Sequence, residues 1–212
     1  MNSMRHSFSK LFSAKLPFIF DTSRPFWEAL EMLETFLDSL EHLHDSQAEI
    51  SSKAELIHPE RITICAGAKI EAGAQVVGPA YIGPGAIVSH GALVRAGTLL
   101  MDNARVGHCS EVKRSILMPQ AKAAHFNYVG DSLLGQNVNL GAGAILCNVR
   151  LDKKAVRVEG TCTGAKKLGA AIGDDSSIGA GVICNPGALI EKEMLVSPKV
   201  IVTGHYSHEA LR

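Results

Sequence analysis

ICAGAKIEAGAQVVGPAYIGPGAIVSHGALVRAGTLLMDNARVGHCSEV, residues 64–112, decides the fold. Counting in sixes from Ile64 gives Ile70, Val76, Ile82, Val88, Val94, Leu100, Val106 and Val112, aliphatic at every step. Four residues after each of the first eight stand Ala68, Ala74, Ala80, Ala86, Ala92, Thr98, Ala104 and Ser110, all small. A helix requires a period of 3.6 and a half-buried strand a period of 2, so a period of six fits neither. It fits a chain wound into a triangular coil, each side a short strand and each corner a turn. The aliphatic side chain then points inward beside the corner, and the small one fills the narrow part of the prism. Gly, Asp and Asn supply corner residues that tolerate positive φ.

Three hexads close one coil of eighteen residues, and stacked coils pair each side with the one above at about 4.8 Å. This is the left-handed parallel β-helix of hexapeptide repeats. The pattern resumes at Leu134, Leu140 and Leu146, and again at Ile172, Ile178, Cys184, Ile190 and Val196. From Ile64 to Val196, less one insertion, about six coils are expected. Residues 118–133 are read as a break in the hexad frame. The stretch Cys147 to Ala171, rich in Lys, Arg and Gly, must leave the coil as a loop, and long loops in compact domains are often functional.

Outside the repeat, residues 23–44 carry Phe26, Leu30, Leu33, Leu37 and Leu40 at helical spacing. Ser23 and Pro25 offer a start. Such a helix serves to cover the open end or flank of the coils, the alternative being a partner-docking helix. The chain thus divides into an N-terminal arm and helix (1–60), a β-helix (61–203) with an inserted loop (147–171), and a short tail (204–212).

The composition agrees. Of 212 residues 46% are apolar, and 21 basic side chains balance 21 acidic ones, which argues against a general nucleic-acid or anionic-membrane binder. Glycine is abundant and aromatics are scarce, as small aliphatic packing requires. No apolar run reaches the length of a membrane span. Cys65, Cys109, Cys147, Cys162 and Cys184 are odd in number and lack zinc-ligand spacing. They read as reduced thiols in a cytoplasmic protein. Arg5, Lys10 and Lys15 precede the apolar patch Leu16 to Phe20 and read as a plain arm rather than an organelle transit peptide.

A prism has no chemistry of its own, so function rests on particular side chains. Arg95 and Lys113, eighteen residues apart, stack one coil apart and can grip one anion together. His125, Asn127 and Tyr128 lie in a run of small residues. His90, His108 and His125 suggest a metal-dependent hydratase of the γ-carbonic-anhydrase type, but the pair of His separated by four residues in that family is absent.

The blocks EVKRSI (111–116), KAAHFNYVGDS (122–132) and LGQNVNLGAGAILCN (134–148) resemble the acetyltransferase domain of bifunctional glucosamine-1-phosphate acetyltransferase/N-acetylglucosamine-1-phosphate uridyltransferase. The following stretch, 148–175, is similar to the longer-looped archaeal-type version. The resemblance covers about half the chain. It implies that His125 is the general base taking a proton from a sugar amine that attacks acetyl-CoA. It implies that Tyr128 and Asn139 orient the amino sugar, that Arg95 and Lys113 bind its 1-phosphate, and that Asn148 and Lys154 are further substrate positions. The Ala142 backbone N–H falls where the thioester oxygen is stabilised. Ala180 occupies the place of a CoA-contacting Ser, and Lys166, Lys167 and Lys192 are candidates for CoA phosphates. Family sites lie between neighbouring prisms, which implies a homotrimer. No metal is required for acetyl transfer by this route. Nothing in residues 1–60 can build the nucleotide-binding domain of the uridyltransferase half, so nucleotidyl transfer is not expected. The competing readings are an acyltransferase on a nucleotide-linked sugar and a catalytically inactive scaffold.

Overall fold

In the computed structural model, which describes residues 7–18, 20–41 and 43–207, the chain winds into eight coils between Glu49 and Tyr206. Equivalent strands stack into three eight-stranded parallel sheets. The first face runs from Glu49–Ile50 to Leu195–Val196, the second from Glu55–Ile57 to Ile201–Val202, and the third from Ile62–Ile64 to His205–Tyr206. All nine aliphatics of the opening hexads are buried, and so are the small residues that follow them. Register follows the sequence: Val76 pairs with Val94, and Val94 with Val112. Each buried Ile, Leu or Val contributes roughly 1.5–3 kcal/mol, so a column of identical small increments holds the prism. This is the parallel β-helix that the hexads predict.

Two details of the coil differ from expectation. Strands begin at Glu49, ahead of the expected residue 61, and continue past Val196 to Tyr206, so the stack counts eight coils, of which about six lie between Ile64 and Val196 as the repeat predicts. Leu56 pairs with Val76 and Ile64 with Ile82. The corner between Leu56 and Ile64 is therefore two residues longer than a hexad, and the 3-10 turn Pro59–Arg61 occupies it. Counting backwards in sixes from Ile64 fails at that turn. Residues 118–133 also do not interrupt the coil. His108 pairs with His125 and Val112 with Val129, and Leu117 and Leu134 face the core. The frame shifts because the corners at Arg114 and Asp131 are one residue shorter, each turned by a positive φ (45° and 46°).

The outer surface of the third face is apolar and is covered. Leu99, Ile116, Leu133, Ala171 and Leu189 pack in one cluster with Phe8, Phe26, Leu30, Leu33 and Leu37, and with Val156, Val158 and Leu168 of the inserted loop. The N-terminal helix is Trp27–Asp38, shorter than residues 23–44. Phe26 stands at its cap position, and Ser23 instead turns its N–H and hydroxyl to Asp21. The helix covers a flank of the prism, not an open end. Arg5 and residues 208–212 of the expected tail lie outside the described residues. No described helix is long and apolar enough to cross a membrane.

A buried carboxylate anchors the N-terminal segment. Asp174 accepts hydrogen bonds from the backbone N–H of Ser13 (2.7 Å) and of Gln136 (2.9 Å). It also lies 3.3 Å from Lys192 Nζ, which donates in turn to Ser13 Oγ. Lys192, a candidate for CoA phosphate, is thus engaged in holding the arm. Asp174→Ala removes charge-assisted bonds worth about 1.5–3 kcal/mol each. It is expected to lower the urea midpoint and to speed tryptic cleavage at Lys10 and Lys15; unchanged cleavage would refute the anchoring role.

Candidate functional site

The corner between the first and second faces carries the site's ring. Phe126 N–H donates to His108 O, Gly143 N–H to His125 O and Gly181 N–H to Ala142 O. These bonds place His108, His125, Ala142 and Ala180 in one column on successive coils. His125 is exposed, so the imidazole is outside the prism. Its backbone is held by Asn127, a buried side chain whose Oδ1 accepts the His125 N–H (3.0 Å) and whose Nδ2 donates to Gly141 O (2.8 Å). One amide therefore ties the His125 corner to the Gly141–Ala142 corner above it. Gly107 permits the close packing of the coil below, since a Cβ there would lie 1.9 Å from Ala124 O. The Ala142 N–H donates to no backbone acceptor among the described residues, and neither does that of Ala180. Below them His90 and His108 stack with ring centroids 5.6 Å apart, and His108 meets Phe126 edge-on. Among the described residues no group of three or more His, Cys, Asp or Glu could hold a metal ion.

Arg95 and Lys113 stand on the second face, one coil apart as the spacing predicts, with Arg95 N–H donating to Val112 O. Neither is without an acidic partner. Arg95 Nη1 is 2.8 Å from Glu111 Oε1, and Lys113 Nζ is 3.5 Å from Asp131 Oδ2. Asp131, completely buried, also accepts from Arg114 Nη1 (3.0 Å) and from Asn148 Nδ2. Asn148 Oδ1 accepts from the Tyr128 hydroxyl at 3.4 Å. Burial, then the charges of Glu111 and Asp131, raise the Tyr128 phenol above its ordinary pKa and keep it a donor. Gly130 makes room for this network, because a Cβ there would come within 2.7 Å of both Asn148 Nδ2 and Tyr128 Oη.

The other expected residues separate. Asn139, exposed, pairs with Lys122 on the first face, next to the His125 strand. Lys154 is exposed in the inserted loop, whose stems meet at Asp131 through Asn148 and through Gly169 N–H, 2.8 Å from Asp131 O. Lys166 and Lys167 line a cavity beside the helix Trp27–Asp38, together with Arg114. That cavity opens at the corner between the second and third faces, whereas Ala180 sits at the corner between the first and second. The residues expected to share one cofactor thus occupy different corners of the prism. Sequence reasoning assigned no role to Asn127, Asp131 or Arg114. Their signal was present in the short corners, which bring Arg114 and Asp131 together. Two of the thiols are held protonated: burial raises Cys147, and burial followed by the charge of Cys147 pushes Cys184 up to about 12.

No family model matches the chain. It is 37% identical over 108 residues to "Bifunctional protein GlmU" of Methanococcus aeolicus, covering 50% of this chain and 26% of that one. It is also 37% identical over 109 residues to "Bifunctional sugar-1-phosphate nucleotidylyltransferase/acetyltransferase" of Sulfurisphaera tokodaii, covering 50% and 27%. The chain thus spans about a quarter of the length of these curated relatives. Among solved structures, Francisella novicida UDP-N-acetylglucosamine acyltransferase matches at 13% identity over 76% of this chain and 62% of that one, with a TM-score of 0.33. The acetyltransferase domain of PglB from Neisseria gonorrhoeae, in complex with acetyl coenzyme A, matches at 19% over 68% and 54%, with a TM-score of 0.26. On the sequence matches and the coil together, about half of this hexapeptide-repeat chain is similar to the acetyltransferase portion of bifunctional sugar-1-phosphate nucleotidylyltransferase/acetyltransferases.

Proposed function

We propose that the chain is an acyltransferase of the hexapeptide-repeat type that moves the acetyl group of acetyl-CoA directly to the amine of an amino-sugar 1-phosphate. The observation that carries this reading is the column at the first corner. An exposed imidazole there stands one coil below an uncommitted backbone N–H, and one buried amide bonds both the His125 N–H and the carbonyl of Gly141, the residue before that N–H. In the reaction His125 accepts the proton as the amine attacks the thioester carbonyl. The C–N bond forms as the carbonyl oxygen gains charge, and the Ala142 N–H meets that charge. Collapse then releases the CoA thiolate, which takes up a proton. One well-aimed donor at such an oxyanion contributes about 2.7–4 kcal/mol. Tyr128, Asn139, Asn148 and Lys154 are the sugar-side contacts of this reading. Arg95 and Lys113 bind the phosphate once it displaces Glu111 and Asp131 as their partner. Ala180 lies on the acetyl-CoA side of the same column, in a cytoplasmic protein without a required metal.

The test is thiol release from acetyl-CoA with glucosamine-1-phosphate and with galactosamine-1-phosphate. Release that depends on one of these sugars is expected; no release with either would sink the reading. The active form is proposed to be a homotrimer with sites between prisms. Sedimentation equilibrium is expected to give three times the 22.6 kDa of one chain, and a monomeric mass at micromolar concentration would contradict it. One observation favours a second reading, a catalytically inactive scaffold: both cations expected to hold phosphate are paired with carboxylates. Sugar-dependent release separates the two. The same assay run with nucleotide-linked amino sugars tests the third, an acyltransferase on such a sugar.

A further inference from the structure

Between the helix Trp27–Asp38 and the returning limb of the inserted loop lies a cavity of about 360 Å3 that the acetyl-transfer reading does not use. Its size falls within the range of small-molecule pockets. Arg114, Lys166 and Lys167 supply three positive charges to its lining, against the single acid Glu31. Thr163 adds a hydroxyl, and the indole of Trp27 forms part of the wall. Arg114 is the anchored member. Its Nη1 is committed to the buried Asp131, and a guanidinium has five N–H donors, so most of them remain for a ligand. Lys166 and Lys167 are exposed at the rim and can close on an anion. The floor is stiff on both sides: Trp27 and Leu30 belong to the buried cluster on the third face, as does Leu168.

Three cations converging on a pocket with one acid select a ligand with at least two negative charges. A guanidinium fork fits phosphate oxygens bidentately. The largely buried Trp27 and Leu30 make part of the wall apolar, and Glu31 is an acceptor for hydroxyls. We propose that this cleft is a binding site for a phosphate-bearing small molecule, distinct from the His125 column. It is linked to that column by one group, because Asp131 takes both Arg114 from the cleft and Lys113 from the second face. An anion that draws on Arg114 leaves the Asp131 carboxylate more fully to Lys113, so occupancy of the cleft weakens the grip of Lys113 on a second anion. The coupling is reciprocal.

Phosphate in this cleft has two chemical sources, the phosphates of coenzyme A or a separate phosphorylated metabolite. Trp27 is the one tryptophan of the chain, so its emission reports on the cleft directly. The experiment titrates the full chain with pyrophosphate, 3′,5′-adenosine bisphosphate, coenzyme A, dephospho-coenzyme A and glucosamine-1-phosphate, following Trp27 fluorescence at constant ionic strength. A saturable change is expected with at least one of them. Its Kd should rise tenfold or more in Lys166→Glu/Lys167→Glu, and rise in Arg114→Gln. It should stay unchanged in Lys53→Glu, an exposed control in the first coil. Response to coenzyme A but not to its dephospho form assigns the first source, and response to pyrophosphate or the sugar phosphate alone assigns the second. A change that follows ionic strength only, or one that survives the double lysine variant, overturns the proposal. His125→Ala is expected to bind as the unaltered chain does, so failure of the acetyl-transfer reading leaves this result standing and the reverse also holds.

Discussion

His125→Ala is expected to lower sugar-dependent thiol release about 10²–10⁴-fold, the range typical of a positioned general base. The fall belongs in kcat, because an amine must lose its proton as the new bond forms and the imidazole takes that proton only then. The folded state should hardly notice. The ring is exposed and no described side chain bonds to it, and surface substitutions of that kind change stability by about 0.5 kcal/mol or less. The paired measurement is therefore turnover together with the urea midpoint. Asn127→Ala is the contrasting variant. Asn127 is buried, takes the His125 N–H and bonds the Gly141 carbonyl, so its loss is expected to lower turnover and the midpoint together. Undiminished turnover in His125→Ala would contradict the assignment of the base whatever the stability showed.

What the sequence made legible follows from how directly each residue's environment is dictated by its neighbours in the chain. The inward aliphatics were readable because each has the same surroundings six residues on, and burial at those positions leaves little choice of side chain. The short corners were not readable as corners. A five-residue step from Val112 to Leu117 looks like a lost frame in a count by sixes, whereas the chain compensates by turning at positive φ through Arg114 and Asp131. The first coil was missed for the opposite reason, the two extra residues accommodated by Pro59–Arg61. The helix stripe Phe26, Leu30, Leu33 and Leu37 was legible from its period. Its start was not, since Ser23 is satisfied locally by Asp21 and has no part in the cap. At the site, the stacking of Arg95 under Lys113 came from spacing alone. Their acidic partners did not, because Glu111 and Asp131 pair with them across coils and outside the hexad rule.

The largest effect on stability is expected at Asp131. Its carboxylate has no access to solvent and receives the neighbours Lys113 and Arg114 from one segment and Asn148 from another, while its own carbonyl takes the Gly169 N–H from the end of the loop. Removing one partner of a buried ion pair costs about 3–5 kcal/mol, since charge is left uncompensated in a poorly polarisable place. Lys113 and Arg114 retain some contact with water, which places Asp131→Ala near 3 kcal/mol, at the lower end of that range. Asp131→Asn keeps an acceptor for Asn148 while removing the charge, so a smaller loss is expected. Lys113→Met added to Asp131→Ala should recover part of the deficit, because it removes one of the cations left behind; urea midpoints of the four proteins measure this coupling. Both stems of the loop meet at this residue, so Asp131→Ala should also speed tryptic cleavage at Arg150 and Lys153. If Asp131→Ala matched the unaltered chain in both midpoint and cleavage, its donors would be equally well served by water. The carboxylate could then neither hold the loop nor link Arg114 to Lys113.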